Sequence, residues 1–390
     1  MKSKHLCYNL LKGCDILNKS FSFYKFLARK FYKSRFQLEV NFNNFDPNRE
    51  DAYILVGNHP CLHDGVYTSL FLKKPPKPII NAFMFTNKFT KFVLTKVYPS
   101  IAKRKGQSDI ITVKSMMKTL NNGMGVMLFP EGNSSFYGKE SDIPFSTVKF
   151  IKKMKKDVVI VKTDGAYLSA ARWGRKSTKK GLVSMNFHVL YKGEDLKNTP
   201  LEQIYAEIKN AIKFNDFDWN RKRKHEYNPV NRALGLERFM YICPKCNSHQ
   251  TISTEGNKIF CSKCGEIAIF NKYTLLEGLK FDNLVEWGEL QEKEIPRLSK
   301  EKLYSKGYLF LEDTVKYKSK KIGFGDVSII NDTLYVQHRT KKYSFVLKEI
   351  KGLTLTKKDE VSFDYEEKTY MIKMQDPMLF YKIIKFKVGG

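Results

Sequence analysis

An imidazole and a carboxylate five positions apart, His59 and Asp64, stand in the segment Asn58-His59-Pro60-Cys61-Leu62-His63-Asp64, directly behind the apolar run Ala52 to Gly57. Histidine is the side chain best suited to base work near neutral pH. A carboxylate beside it fixes its tautomer and stabilises the imidazolium that forms. Such a pair can make a hydroxyl nucleophilic. Five residues is not a same-face spacing on a continuous helix, where each residue advances by about 100°. Pro60 offers a way round this. It disfavours helical backbone at His59 and itself suits the first helical position. On this reading His59 sits at the cap and is the general base, while Asp64, more than a turn in, swings back to orient it. His63 is a rival base. Its neighbour Asp64 points away from it on a helix, however, and no acid lies five residues beyond.

A second segment, Phe129-Pro130-Glu131-Gly132-Asn133-Ser134-Ser135, closes the apolar run Val126 to Phe129. A glycine after Phe-Pro-Glu lets backbone amides come close to a phosphate or an oxyanion. A third constellation is Cys243, Cys246, Cys261 and Cys264: two Cys-x-x-Cys knuckles with fourteen residues between them. In a reducing compartment this spacing reads as a four-thiolate zinc site rather than two disulfides. Four protein ligands leave no open position, so the zinc is expected to be structural. Cys7, Cys14 and Cys61 are isolated. Between the knuckles the basic residues are few, only Lys258 with His249. That favours a folding staple or partner-docking module over nucleic-acid binding.

The elements that position these residues follow from periodicity. Residues 45–215 alternate apolar, strand-like runs (52–56, 79–85, 125–129, 158–161, 183–190) with helical patterns (65–72, 109–121, 146–154, 201–214). This alternation predicts an α/β domain with a mixed sheet flanked by helices, and puts both motifs where strands end. Residues 1–44 read as an amphipathic helical region, with Tyr24, Leu27, Ala28 and Phe31 interleaved by Lys25, Arg29, Lys30, Lys33 and Arg35. Such a helix suits an anionic membrane surface. Residues 216–240 read as a basic linker, 241–271 as the zinc ribbon and 272–304 as a helical connector. From 305 to 390 the pattern is of period two, with Leu334, Val336, Phe345, Leu347, Leu353 and Leu355 apolar. A small antiparallel β-rich domain is expected there, similar in pattern to a pleckstrin-homology-like barrel.

The chain has 390 residues and a net charge of +29, which implies an acidic partner surface. No stretch is long and apolar enough to span a membrane, and the start does not read as a signal peptide. The expectation is a cytoplasmic protein lying on the inner face of the cell membrane.

Taken in order, the His59–Asp64 segment and the Phe129-Pro130-Glu131-Gly132 segment resemble the signature of the glycerolipid acyltransferases, whose type member acylates 1-acylglycerol 3-phosphate. The run Gly165-Ala166-Tyr167 followed by Arg172-Trp173 is similar to a bacterial subgroup in which a zinc ribbon follows the acyltransferase domain. The resemblance implies transfer of a fatty acyl group from acyl-CoA or acyl-carrier protein to the hydroxyl of a lysophospholipid, with no cofactor beyond that donor. It implies that Glu131, Gly132 and Asn133 hold the acceptor. It also matches Tyr98 to Arg104 with the family's middle block, making Arg104 and Lys103 phosphate contacts, with Lys149 a further candidate. Two departures stand out. Val158–Val161 lacks the proline of the family's last block, and Ser134 replaces the arginine that commonly follows Phe-Pro-Glu-Gly-Thr. Without that guanidinium, either another cation holds the phosphate or the acceptor is no simple phosphate monoester. Glycerol 3-phosphate or a non-phosphorylated alcohol are then alternative acceptors. A lipid- or nucleic-acid-binding adaptor with a degenerate acyltransferase domain is the alternative from another class.

Overall fold

The apolar run ahead of His59 sends its side chains alternately to two sides. Tyr53 and Leu55 enter one buried cluster, and Ile54 and Val56 another. A strand of this kind belongs in a sheet covered on both faces. The computed structural model describes residues 22–85, 88–103, 110–174, 181–228, 230–313 and 318–389. A helix over 22–35 (α1) leads into β1 (Phe36–Asn41), β2 (Ile54–Gly57), α2 (Asp64–Leu70), β3 (Lys77–Asn81), α3 (Lys88–Phe92), β4 (Ile101–Lys103), α4 (Ile110–Asn121) and β5 (Val126–Leu128). There follow α5 (Phe145–Met154), β6 (Val158–Asp164), α6 (Ala166–Ser169), β7 (Gly181–Tyr191) and α7 (Leu201–Ala211).

The first sheet has the order β1-β7-β6-β2-β5-β3-β4. β2 runs parallel to both β5 and β6, whereas β7 is antiparallel to β6, so the sheet is mixed. Leu120 of α4, Ile151 of α5 and Ile204 and Ile208 of α7 cover one face. Tyr32 of α1 and Tyr67 and Leu70 of α2 cover the other. β2 lies centrally, and the loops leaving β2 and β5 emerge side by side at the same edge. That edge is where sheets of this class place their sites.

Three sequence expectations change. The helical pattern assigned to 1–44 gives way at Phe36. Phe36, Leu38 and Val40 alternate onto the core, and this period of two forms β1 beside β7; residues 1–21 lie outside the described residues. The strand expected over 79–85 ends at Asn81 and continues as a tight helical turn. The basic linker expected over 216–240 is folded. It carries α8 (Asp216–Arg223) and a strap whose Tyr227, Ala233, Leu236, Phe239 and Met240 are buried. The basic residues that suggested a linker lie outside, Arg221 paired with Asp282 and Arg223 with Glu39.

Beyond the strap, β8 (Ile252–Glu255), β9 (Lys258–Cys261), β10 (Gly265–Phe270) and β11 (Leu276–Glu277) make a small antiparallel sheet around the four cysteines. Helix α9 (Leu284–Leu298) is capped by the Asn283 side chain, which accepts the Glu286 N–H at 3.0 Å. The chain then forms β12 (Leu303–Asp313), β13 (Lys318–Ile330), β14 (Thr333–His338), β15 (Lys341–Val346), β16 (Lys351–Thr356), β17 (Glu360–Tyr365) and β18 (Lys368–Met374). They build an antiparallel half-barrel in the order β15-β14-β13-β12-β18-β17-β16, against which α10 (Pro377–Gly389) packs. One continuous apolar cluster runs from Tyr167 and Trp173 through Phe239 and Trp287 to Leu309 and Leu379. The three parts therefore share a core.

Gln291 is the polar pin in that core. Its Oε1 accepts the N–H groups of Tyr241 and Ile242 at 2.5 and 3.1 Å, and its Nε2 donates to the Phe239 carbonyl at 3.3 Å. Gln291→Leu keeps the volume but strands two buried donors. Urea unfolding should show a loss of about 2–4 kcal/mol.

Candidate active site

The edge of β2 is locked before the site begins. Buried Asn58 donates from Nδ2 to the Thr163 carbonyl at 2.7 Å and accepts the Thr163 N–H on Oδ1, also at 2.7 Å. Its amide thus imitates one more step of the β2–β6 ladder and fixes where His59 leaves the sheet. Gly57 has a separate role. A Cβ there would lie 2.8 Å from Val161 Cγ1 and 2.9 Å from the Phe129 ring. Its absence lets Phe129 slide in and stack on the His59 imidazole, with centroids 4.9 Å apart.

His59 Nδ1 and Asp64 Oδ2 are 2.8 Å apart. The Asp64 side chain is fully buried, while 19% of the His59 side chain is exposed. The route by which they meet differs from the expected one. Pro60 is a bend rather than the first helical residue, and α2 begins only at Asp64. The intervening turn is drawn tight by Asp64 itself, which accepts the Cys61 N–H on Oδ2 at 3.0 Å and the Cys61 thiol on Oδ1 at 3.2 Å. A side chain that bonds backbone just upstream favours a turn over a helix. Burial and the Asp64 charge push the Cys61 thiol well up, so it is a proton donor to Asp64 and no nucleophile. His63 turns away from Asp64 and its Nδ1 meets the Tyr32 hydroxyl at 3.1 Å. Burial pushes His63 toward its neutral form.

The loop after β5 is fastened to the first motif. Glu131 accepts the His59 N–H on Oε1 at 2.7 Å and the Ser141 N–H on Oε2 at 2.8 Å, and the Ser135 N–H donates to the His59 carbonyl at 2.8 Å. Both Glu131 oxygens are thus engaged with backbone, and the residue acts as a brace between the loops. Burial pushes its carboxyl up to about 8, against the lowering effect of those two N–H groups. Gly132 is exposed with φ +73°, and Asn133 is half-buried beside it. Ser134 is buried, and its carbonyl accepts from Arg172 at 3.3 Å.

The expected cationic contacts fare differently. Arg104 lies outside the described residues. Lys103 is exposed at the end of β4, and Lys149 is exposed on α5 with its ammonium 5.6 Å from the Phe145 ring centre. Among the described residues, the cation that meets the Glu131–Ser135 loop is Arg172, whose role is not evident from its type alone. Its guanidinium lies over Phe136 and also donates to the carbonyls of Leu355 and Lys357 in the half-barrel. Burial lowers its pKa to about 10. Only the Arg-Trp pair in the sequence hinted at it; a buried arginine is otherwise indistinguishable from a surface one in a chain this basic.

Away from this edge, the sulfurs of Cys243, Cys246, Cys261 and Cys264 all lie within 4.8 Å of one another. Cys243 and Cys264 are 4.0 Å apart, and Cys246 and Cys261 3.8 Å. A tetrahedral zinc with sulfurs at about 2.3 Å requires edges of roughly 3.8 Å, so the cluster is a potential structural metal site.

The acyltransferase family model matches residues 37–168, so this segment is an acyltransferase family domain. Among solved structures, the chain is similar to the 1-acyl-sn-glycerophosphate (LPA) acyltransferase PlsC from Thermotoga maritima. The TM-score is 0.41 and the identity 16%, covering 54% of this chain and 80% of that one. No curated protein sequence matches the chain.

Glu131 generates a test of stability. Its folded pKa of about 8 lies above that of an unfolded glutamate. Between those values the folded chain holds the extra proton, so this group's contribution to stability falls as pH rises. Glu131→Ala should cost about 1–3 kcal/mol at pH 5 by stranding the His59 N–H. The variant should also show a shallower decline in urea midpoint between pH 5 and 8.

Proposed function

We propose that the acyltransferase domain moves a fatty acyl group from a thioester, acyl-CoA or acyl-carrier protein, to the hydroxyl of a lysophospholipid, 1-acylglycerol 3-phosphate first among them. The observation that carries this reading is the 2.8 Å contact between His59 Nδ1 and buried Asp64, beside the Glu131–Ser135 loop. With its Nδ1–H given to Asp64, the neutral ring has Nε2 left to accept a proton. His59 takes the proton of the acceptor hydroxyl as its oxygen attacks the thioester carbonyl. Asp64 steadies the imidazolium. Backbone N–H groups beside the motifs hold the oxyanion, as preorganised donors do in acyl transfer. Collapse of the tetrahedral intermediate expels the thiolate, which takes the proton from His59. The ester product and the free thiol leave, and no covalent enzyme intermediate forms. The His59–Asp64 contact favours an enzyme over an adaptor with a decayed domain.

The buried position of Ser134 supports a second acceptor class, since position 134 offers no cation to a phosphate. Glycerol 3-phosphate or a non-phosphorylated alcohol would then be the substrate, and product mass distinguishes them.

Among the described residues no helix is long and apolar enough to cross a membrane. We read the protein as one that lies on an anionic bilayer. On α1, Phe23 and Phe26 are 64% and 63% exposed, and on α3 Phe89 is 76% exposed, each among lysines. Aromatic side chains with flanking cations suit an interface carrying anionic lipid. The four-cysteine cluster would hold zinc as a staple that supplies folding energy and takes no part in the acyl transfer.

Thiol release with lysophosphatidic acid and either donor tests the first reading. His59→Ala should lower kcat about a hundred- to ten-thousand-fold. If the wild type releases no more thiol than the variant with any lysolipid or glycerol phosphate, the enzyme reading fails. Elemental analysis should find one zinc per chain, and a chelator strong enough to strip it should lower the Tm.

A further inference from the structure

Helix α2 has only seven residues, and Asp64 is the first of them. A helix so short has little stability of its own and takes its position from what packs on it. Here α1 grips it at both ends. At the start, the Tyr32 hydroxyl and His63 Nδ1 share a hydrogen bond at 3.1 Å, and the Tyr32 ring meets the Tyr67 ring with centroids 5.0 Å apart. At the far end, Arg29 Nε donates to the Leu70 carbonyl at 2.9 Å, and Lys25 Nζ to the Leu72 carbonyl at 2.6 Å. Carbonyls at a helix C-terminus lack intrahelical donors, so these cations satisfy groups that would otherwise need water.

The two sides of α1 have different tasks. Ala28 and Tyr32 are buried against the domain, whereas Phe23, Phe26, Leu27 and Phe31 are exposed. No acid lies between residues 22 and 35, and Lys30, Lys33 and Arg35 flank the exposed side. That exposed side is the one assigned above to the anionic bilayer, and the present inference rests on that reading. His63 is the joint between the two tasks. Its ring takes the Tyr32 bond, its N–H reaches the Cys61 sulfur at 3.4 Å, and the same Cys61 donates to Asp64.

We propose that His63 is a positioning residue: through Tyr32 it transmits the seating of α1 to the turn that aims Asp64 at His59. The base is then correctly held only when the membrane helix is docked on the domain. His63 touches no reacting atom, and its effect is on the orientation of the pair.

The test uses the full chain on vesicles of phosphatidylethanolamine and phosphatidylglycerol, with three variants. Tyr32→Phe and His63→Phe keep ring bulk and remove the bond. His63→Asn replaces Nδ1 by an amide oxygen that can accept from Tyr32. Each Phe variant should lose about tenfold in kcat, as misplacement of a base does, with KM, vesicle binding and Tm unchanged. The double variant should be no worse than either alone, and His63→Asn should recover most of the rate. In parallel, 15N-labelled histidine reports the His59 ring nitrogens, which should shift in the Phe variants and return in His63→Asn. Unchanged kcat and unchanged His59 nitrogens in both Phe variants overturn the proposal. So does a loss confined to KM or vesicle binding. A wild type that transfers no acyl group defeats the proposed function instead, and the His59 nitrogens then decide this inference alone.

Discussion

Asp64 carries a carboxylate into a place that water does not reach, and the protein has to supply everything its oxygens would have taken from solvent. It does so with groups drawn from a single short turn: the His59 ring, the Cys61 amide and the Cys61 thiol. The arrangement defines the turn, because each donor must come to the carboxylate. It also defines the imidazole, because Nδ1 is committed and only one ring nitrogen is left for chemistry. Much of the remaining structure at this edge can be understood as holding that turn still: Asn58 by its bonds to β6, Phe129 by stacking, and Glu131 from the neighbouring loop.

Glu131 and Arg172 show how the bracing extends outward. Glu131 ties the two motif loops through backbone groups, and Arg172 ties the second loop to the half-barrel. Among the described residues Arg172 meets carbonyls and an aromatic face, so backbone dipoles compensate its charge. A buried guanidinium of this kind is costly to leave unpaired, which makes its carbonyl partners as necessary as the arginine.

The parts of this arrangement visible in the sequence were those with a strong local signal. The runs that became β2, β5 and the first half of β6 are apolar throughout because they are covered on both faces. The cysteine spacing needs no tertiary context to be read. The His59–Asp64 pairing was legible, but its path was not. The propensity of Pro60 points to a helix start, and the competing Asp64–Cys61 bonds, which favour a turn, are visible only in three dimensions. The strap over 216–240 is hidden in the sequence for a related reason. Its charged residues cluster in sequence at Arg221 to Lys224, while its buried ones, Tyr227, Leu236 and Phe239, are scattered without a period. β1 was hidden because its alternation follows a helix without a break. Arg172 and Tyr32 were beyond reach, since which cation or phenol turns inward is decided by partners more than a hundred or some thirty residues away.

The segment matched by the acyltransferase family stops at residue 168, four positions short of Arg172. Two of the carbonyls that accept from that arginine belong to β16 and the turn after it, nearly two hundred residues further on. A chimera that kept the first part and exchanged the half-barrel for an unrelated module would inherit a cation stripped of two of its carbonyl acceptors, directly behind the loop that braces His59. In this architecture the two ends of the chain are not interchangeable cassettes, and substitutions in one are constrained by the other.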